Sequence, residues 1–458
     1  MYPGHRIDMT EGPILGKIIK FAIPVAIAHL LQLTFDAADM AVIGRWSQYG
    51  HNSLAAIGAT NQVTSLMLML ATGISVGAQV VAAQCYGAKD SRGVSHAFHT
   101  SIALAVWSGL VLMVLGVTLS RQLMLLVRVP PEIIDQSTLY LKLRFLGIPF
   151  GMVYMFGGML MRAVGDTRRP LYYLTVSGVV NVALNMLFVI AFKWDVAGVA
   201  VATAISRGLS ALLVMLALMR NPVPCRVFLN KIRIYPAVLK QILWIGLPSG
   251  LQSSCYAISN VIISAAINTL GVVAVAGNIA SGTIEAVIHT VSFTMYQSVL
   301  AFGGQNYGAA NYRRAARGFA VCLAISMSFN LVFGWGALFC GRPLLGLINS
   351  NPDVIDQGML RFYVNFTTYF IAGALDIVCG SLRSFNRSVS PMIVTLLSVC
   401  VFRVIWIFTF FPKHHTLTSL YISYPISWTL VVLINGTMLF LVCRKLIRNG
   451  EDDLPDAA

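Results

Sequence analysis

Four acidic residues sit where acids are costly. Most of the chain's 17 acids fall in polar stretches, but Asp36, Asp39, Glu285 and Asp376 lie inside long apolar runs. An ionised carboxylate at the centre of a bilayer costs about 2.5–3.5 kcal/mol on insertion scales. Folding alone does not require that cost, so these four are the leading functional candidates. Asp36 and Asp39 are three residues apart and share one face of a helix. Carboxylates that close resist ionising together in a low dielectric, so the pair can hold a proton, or a cation when both are charged. The plainer alternative is a helix cap or a partnership with a basic side chain. Asn181 and Asn185, four apart, share a face in the same way. Their carbonyls can ligate a cation, although amides also join helices in lipid. Thr203 offers a hydroxyl, whose commonest partner is its own helix backbone. Arg207 and Arg403 are read as the two basic residues inside apolar runs, in packing or ion-pair roles. His29 and His289 read as hydrogen-bonded interior residues without an assigned role.

The elements that must carry these groups follow from composition. Of 458 residues, 57% are hydrophobic and 11% charged, against roughly 25% charged in soluble domains. A water-soluble enzyme, a disordered chain and a coiled coil are therefore excluded. A bilayer span needs about 20 mainly apolar residues. Twelve stretches meet that need: 18–43, 54–82, 96–118, 138–160, 171–192, 197–219, 238–268, 273–301, 317–340, 361–381, 391–411 and 419–442. The expected fold class is an all-α integral membrane protein of twelve transmembrane helices. The net charge of +15 has a topological reading. Lys17, Lys20, Arg162, Arg168, Arg169, Arg313, Arg314 and Arg317 crowd the loops of one side, and the other side has few such residues. Basic loops stay in the cytoplasm, so both termini are expected there and nucleic acid is not an expected partner. Eight scattered cysteines form no CxxC pair or Cys/His cluster and read as small buried hydrophobes. The polar start, Met1 to Glu11, has no signal-peptide pattern.

The chain repeats itself. Gln84-Cys-Tyr-Gly-Ala recurs as Gln305-Asn-Tyr-Gly-Ala, and RAVGDTRRP from Arg162 recurs more loosely as RSFNRSVSP from Arg383. Both pairs are offset by 221 positions, and Ile23-Pro24 resembles Leu247-Pro248 at 224. A duplicated six-helix unit follows. Six is even, so both copies share one orientation and should be related by a pseudo-twofold axis along the membrane normal. The expected division is an N-terminal lobe of residues 1–220, a cytoplasmic linker of 221–236 and a C-terminal lobe of 237–458. Parallel repeats favour a transporter with its path between the bundles. Gly87 and Gly308 are expected to close helices in the left-handed conformation. Pro24, Pro149, Pro248 and Pro425 are expected bending points.

Together these residues resemble the multidrug and toxic compound extrusion (MATE) family over essentially the whole chain. The resemblance rests on Leu30-Leu31-Gln32 running into Asp39 and Gly44-Arg45, the two QxYGA copies and RAVGDTRRP. IGLPSGLQSS from Ile245, ISNVIISAAIN from Ile258, GNIASGTIE from Gly277 and YISYPISW from Tyr421 complete it. It implies alternating access driven by sodium ions or protons, with organic cations, drugs and toxic compounds as cargo. Asp39 matches the family's first-span acid of the cation-coupling site, and Asn181 and Thr203 match its polar partners. Glu285 and Asp376 match acids of the C-terminal lobe, in a substrate-binding or second-ion role. Two departures stand out: Asn185 occupies a position where the family commonly has Asp, and Asp36 one where it commonly has a neutral residue. One charge thus moves from the fifth span to the first. The glycine that the family places after the second-half arginine is also absent, since Ser384, Phe385 and Asn386 follow Arg383.

The functional expectation is an antiporter in the cytoplasmic (inner) membrane, acting as a single chain on small cationic molecules. Its coupling cation, sodium or proton, would bind at Asp39 with Asp36, Asn181, Asn185 and Thr203. No cofactor is expected, and no metal beyond sodium at Asp39. The alternative is a lipid-linked precursor flippase, disfavoured because intramembrane charge looks acidic whereas phosphate cargo needs a basic cavity. An enzyme is not expected, since no span carries a nucleophile–base arrangement or an HExxH motif. A nucleotide-driven pump lacks its GxxxxGK[ST] loop.

Overall fold

The computed structural model describes residues 6–47, 51–127 and 129–452, so residues 1–5 of the polar start lie outside it. The chain is all-helical among the described residues, and its long apolar helices give ten candidate spans, or twelve with two bent pairs each taken as one. They are α1 (Ile14–Trp46), α2 (Ala55–Gly87), α3 (Ser91–Leu126), α4 (Pro131–Leu146 with Ile148–Ala163), α5 (Arg168–Ala191), α6 (Asp195–Arg220) and α7 (Pro236–Asn268). The series continues with α8 (Val272–Gly308), α9 (Tyr312–Phe339), α10 (Pro352–Phe366 with Tyr369–Ser384), α11 (Val389–Thr409) and α12 (Leu417–Asn449).

The bent pairs have local causes. α4 turns by 46° between Leu146 and Ile148. Pro149 supplies no N–H there, and its ring clashes with the preceding turn. α10 turns by 52° after a π-helical turn at Phe362–Phe366, a geometry that releases backbone groups from the regular ladder. Pro24 and Pro248, by contrast, sit inside continuous helices, and Pro425 lies in the first turn of Ser423–Asp452. Of the four prolines expected to bend spans, Pro149 stands at a break.

The chain forms two compact units, one of residues 6–8 with 23–246 and one of residues 9–22 with 247–452. Residues 9–22 and the start of α7 thus belong to the opposite units from those that the linear division assigns. In the first unit α4 is central and packs on α2, α3 and α6; in the second α10 packs on α8, α9 and α12. Residue 9 is anchored within the second unit: Gln305 Oε1 accepts from the Met9 N–H at 3.0 Å, and Asn306 and Arg314 donate to the Met9 carbonyl. One copy of the QxYGA motif therefore works as a clasp for the chain start.

The left-handed residues correct the capping expectation. Gly87 and Gly308 are the last residues of their helices, and the positive φ falls two residues later, at Lys89 (56°) and Ala310 (57°). The loop after Arg162 turns at Gly165 (φ 81°), and its copy turns at Asn386 (φ 61°), 221 positions on. Asparagine tolerates the left-handed region better than other non-glycine residues. Asn386 thus does the work of the missing glycine.

Candidate functional site

In the first unit, α1 and α5 meet through a glycine. Gly178 faces Phe35 so closely that a Cβ there would overlap the ring. Asn181 and Asn185 follow on the same face of α5, one and two turns along. That approach brings Asn185 Nδ2 to donate to Asp39 Oδ1 at 2.5 Å and to Asn181 Oδ1 at 3.3 Å. Asn185 is wholly buried, and its own Oδ1 has no hydrogen-bond partner. Gln32 Nε2 donates to Asp36 Oδ1 at 3.1 Å. Neither Asp36 nor Asp39 is ion-paired among the described residues. A π-helical turn, Leu187–Ala191, begins just after Asn185.

Asp36, Asp39, Asn181 and Thr203 line one cavity of about 260 Å³ with Gln32, Ser206 and Arg207. Thr203 Oγ1 donates to the Val199 carbonyl of its own helix at 2.8 Å, so its hydroxyl is already satisfied. One turn beyond Asp39 and Asn185, Val42, Ile43, Ile57, Tyr140, Val189, Val196, Val199 and Ala200 form an apolar cluster. All five residues expected to form the coupling site are therefore brought together.

Two arginines temper the site's negative charge. Arg207 lines the cavity, and Arg207 and Arg144 both lie close enough to act electrostatically on Asp36 and Asp39. Arg144, bonded to Asn61 Oδ1 and within 3.4 Å of the Tyr140 hydroxyl, escaped the sequence reading. So did Arg361. Both lie within the expected spans, Arg144 inside 138–160 and Arg361 at the start of 361–381. Arg207 and Arg403 are therefore not the only two basic residues within helices.

The second unit holds a cavity of about 290 Å³ lined by Tyr256, Asn260, Glu285, His289, Tyr369, Asp376, Arg403, Tyr424 and Trp428. Both expected acids face it, and both are partnered. Arg361 donates Nη2 and Nε to Glu285 Oε2 at 2.7 and 3.0 Å, and Nη1 to Asn278 Oδ1 at 2.7 Å. His289 Nε2 lies 3.0 Å from Asp376 Oδ2. Arg403 donates Nε and Nη2 to Ser427 Oγ at 3.0 and 2.8 Å, with its guanidinium 4.1 Å from the centre of the Tyr424 ring.

The two cavities use the same positions of the repeat. Tyr369, Ala372, Asp376, Tyr424 and Trp428 stand 221 residues after Ile148, Gly151, Met155, Thr203 and Arg207, and all ten line their respective cavities. Tyr256 and Asn260 stand 224 residues after Gln32 and Asp36, also cavity residues. Duplication has produced two equivalent chambers with different chemistry.

Comparison with known proteins agrees with this duplicated plan. The MatE family profile matches residues 24–187 and again 248–409. The probable multidrug resistance protein YpnP of Bacillus subtilis is 24% identical over 400 residues, covering 86% of this chain and 88% of its own. A FAD transporter of Shewanella oneidensis is likewise 24% identical over 400 residues, covering 85% and 87%. The crystal structure of a MATE protein in its bent conformation superposes with a TM-score of 0.89 at 18% identity, over 97% of this chain and 98% of that one. With two family matches spanning most of its length and the same fold, this chain belongs to the multidrug and toxic compound extrusion family.

Proposed function

We propose that this chain is a cation-coupled antiporter that exports organic cations, drugs and toxic compounds by alternating access, with sodium ions or protons bound at Asp39. The observation that carries the reading is the Asp39–Asn185–Asn181 chain of hydrogen bonds beside a cavity that Asp36 shares. With Asp39 ionised, the Asn185 amide serves it as a donor. When a cation or proton neutralises Asp39, the amide's unpartnered oxygen can serve as ligand or acceptor after rotation of the side chain. A ligand shifts a conformational equilibrium only by its differential affinity for the two states. An amide that serves both charge states of Asp39 provides such a difference. Asp36 supplies the second negative charge that Asn185 does not, one helical turn from Asp39. Loss of function in Asp36→Asn, rescued by Asn185→Asp, supports that exchange; an Asp36→Asn variant with normal ion-coupled efflux refutes it.

We place the chain in the cytoplasmic membrane with both termini inside, acting as a single polypeptide. The test is transport by proteoliposomes under imposed sodium or proton gradients, with a panel of cations and phospholipid-linked sugars. Uphill cation efflux driven by one of the two gradients supports the proposal. Movement of lipid-linked sugars alone would replace it with the second reading, a lipid-linked precursor flippase. One observation favours that reading: Arg403 faces the second cavity, and phosphate cargo needs a basic partner. The FAD transporter relative likewise suits cargo other than organic cations. Glu285 and Asp376, each with a basic partner, give less support to cation binding in the second unit than the sequence suggested.

A further inference from the structure

We propose that the cavity of the second unit binds an organic anion carrying an aromatic ring. The proposal rests on the chain being a transporter, but not on cation coupling at Asp39. The first argument is divergence between copies. Gln32, Ile148, Thr203 and Arg207 of the first cavity are replaced at the equivalent positions by Tyr256, Tyr369, Tyr424 and Trp428. Where one copy offers an amide, a hydroxyl and a guanidinium, the other offers rings. Trp428 packs edge-to-face with Tyr369 and Tyr424, at 5.8 and 5.7 Å between centres, so these walls are mutually braced. Braced rings with a few fixed polar groups form a site for a planar molecule.

The second argument is charge. Rings alone would also suit a cation, so the fixed charges decide the sign. Glu285 is neutralised from behind by Arg361, and Asp376 is engaged by His289. Arg403 has no carboxylate partner among the described residues. The residue is 2% exposed, and Ser427 and the Tyr424 face hold the guanidinium in one orientation. Nη1 makes no hydrogen bond among the described residues. A guanidinium held in place with N–H donors to spare recognises a carboxylate or phosphate through charge-assisted hydrogen bonds. A cation in this chamber would find both carboxylates already engaged and would meet the Arg403 guanidinium. The volume of about 290 Å³ suits a few fused rings better than a sugar on a lipid carrier.

The test uses the purified full-length chain in detergent micelles, with fluorescein, an aromatic carboxylate, as probe and anisotropy as readout. Expected are saturable binding, at least tenfold weaker in Arg403→Gln and partly restored in Arg403→Lys. Asp376→Asn removes a negative charge facing the same cavity and should tighten fluorescein at least threefold, which a misfolded protein cannot do. A polyprenyl phosphate in mixed micelles should not compete. Fluorescein binding indifferent to both Arg403→Gln and Asp376→Asn overturns the proposal, as does displacement by the polyprenyl phosphate at equal concentration. Asp39→Asn should leave fluorescein binding intact, so failure here and failure of the coupling assignment are separate results.

Discussion

Glu285 and Arg361 offer a sharp distinction between a cargo-binding acid and a structural ion pair. Their side chains are 17% and 12% exposed, and two guanidinium nitrogens reach one carboxylate oxygen. Removing one partner of such a pair strands a desolvated charge and costs about 3–5 kcal/mol. At 1.36 kcal/mol per decade, that is roughly 150- to 5,000-fold in the folding equilibrium. Replacing both partners with apolar residues of similar volume is close to neutral. Glu285→Leu and Arg361→Met should therefore each destabilise by that amount, while the double variant returns to within about 1 kcal/mol of the parent chain. Equilibrium unfolding in mixed micelles reads the cycle, and ethidium efflux is measured alongside. Single losses that simply add in the double variant would refute the pair. So would a Glu285→Leu protein of normal stability that no longer transports, which is the outcome expected of a dedicated substrate acid.

Further outcomes follow from the same geometry. Gly178→Ala should push Phe35 and α1 away from α5, reducing coupled transport at least tenfold, since a misplacement of about 1 Å can cost 10²-fold. Normal efflux would mean the close approach is incidental. Asn386→Gly should be neutral and Asn386→Ala destabilising by about 1–2 kcal/mol, the left-handed penalty; equal melting curves would contradict it. A membrane-impermeant maleimide applied to intact cells should label Cys340, which is exposed after α9. Cys225 should stay unlabelled even after permeabilisation, because it is wholly buried and burial pushes its thiol up. Labelling of Cys340 only in permeabilised cells would invert the proposed topology.

How legible all this was depends on distance along the chain. The duplication, the spans and the Asp36–Asp39 pair are local patterns, because apolar length, a fixed offset and a three-residue spacing are written in neighbouring letters. Partnerships are not. Asp376 meets a histidine 87 positions earlier, and Glu285 meets an arginine 76 positions later, at the start of another span. Hence two acids that looked unpaired have basic partners, and the second unit is less acidic than its sequence suggests. Cysteine burial was legible only in part: Cys225, Cys322 and Cys379 are buried, but Cys340 is exposed. The left-handed residues were misplaced by two positions because glycine draws the eye, whereas Lys89 and Ala310 carry the turn. Asn386 shows the reverse case, an asparagine taking over a glycine's conformation.

The central claim is that Asp39 couples cation entry to cargo export. Proteoliposomes holding purified chain, with an imposed gradient and an ethidium readout, test it most directly. Exchanged one for one against the monovalent cation ethidium, the coupling ion moves no net charge, so the imposed concentration gradient is the driving force. An ion gradient of about 50-fold, or about 2.3 kcal/mol, can sustain an ethidium gradient of about 50-fold. The parent chain should build a cargo gradient of that order, and Asp39→Asn should only equilibrate ethidium, at a ratio near one. An Asp39→Asn protein that still drives ethidium uphill at the parent rate would contradict the account.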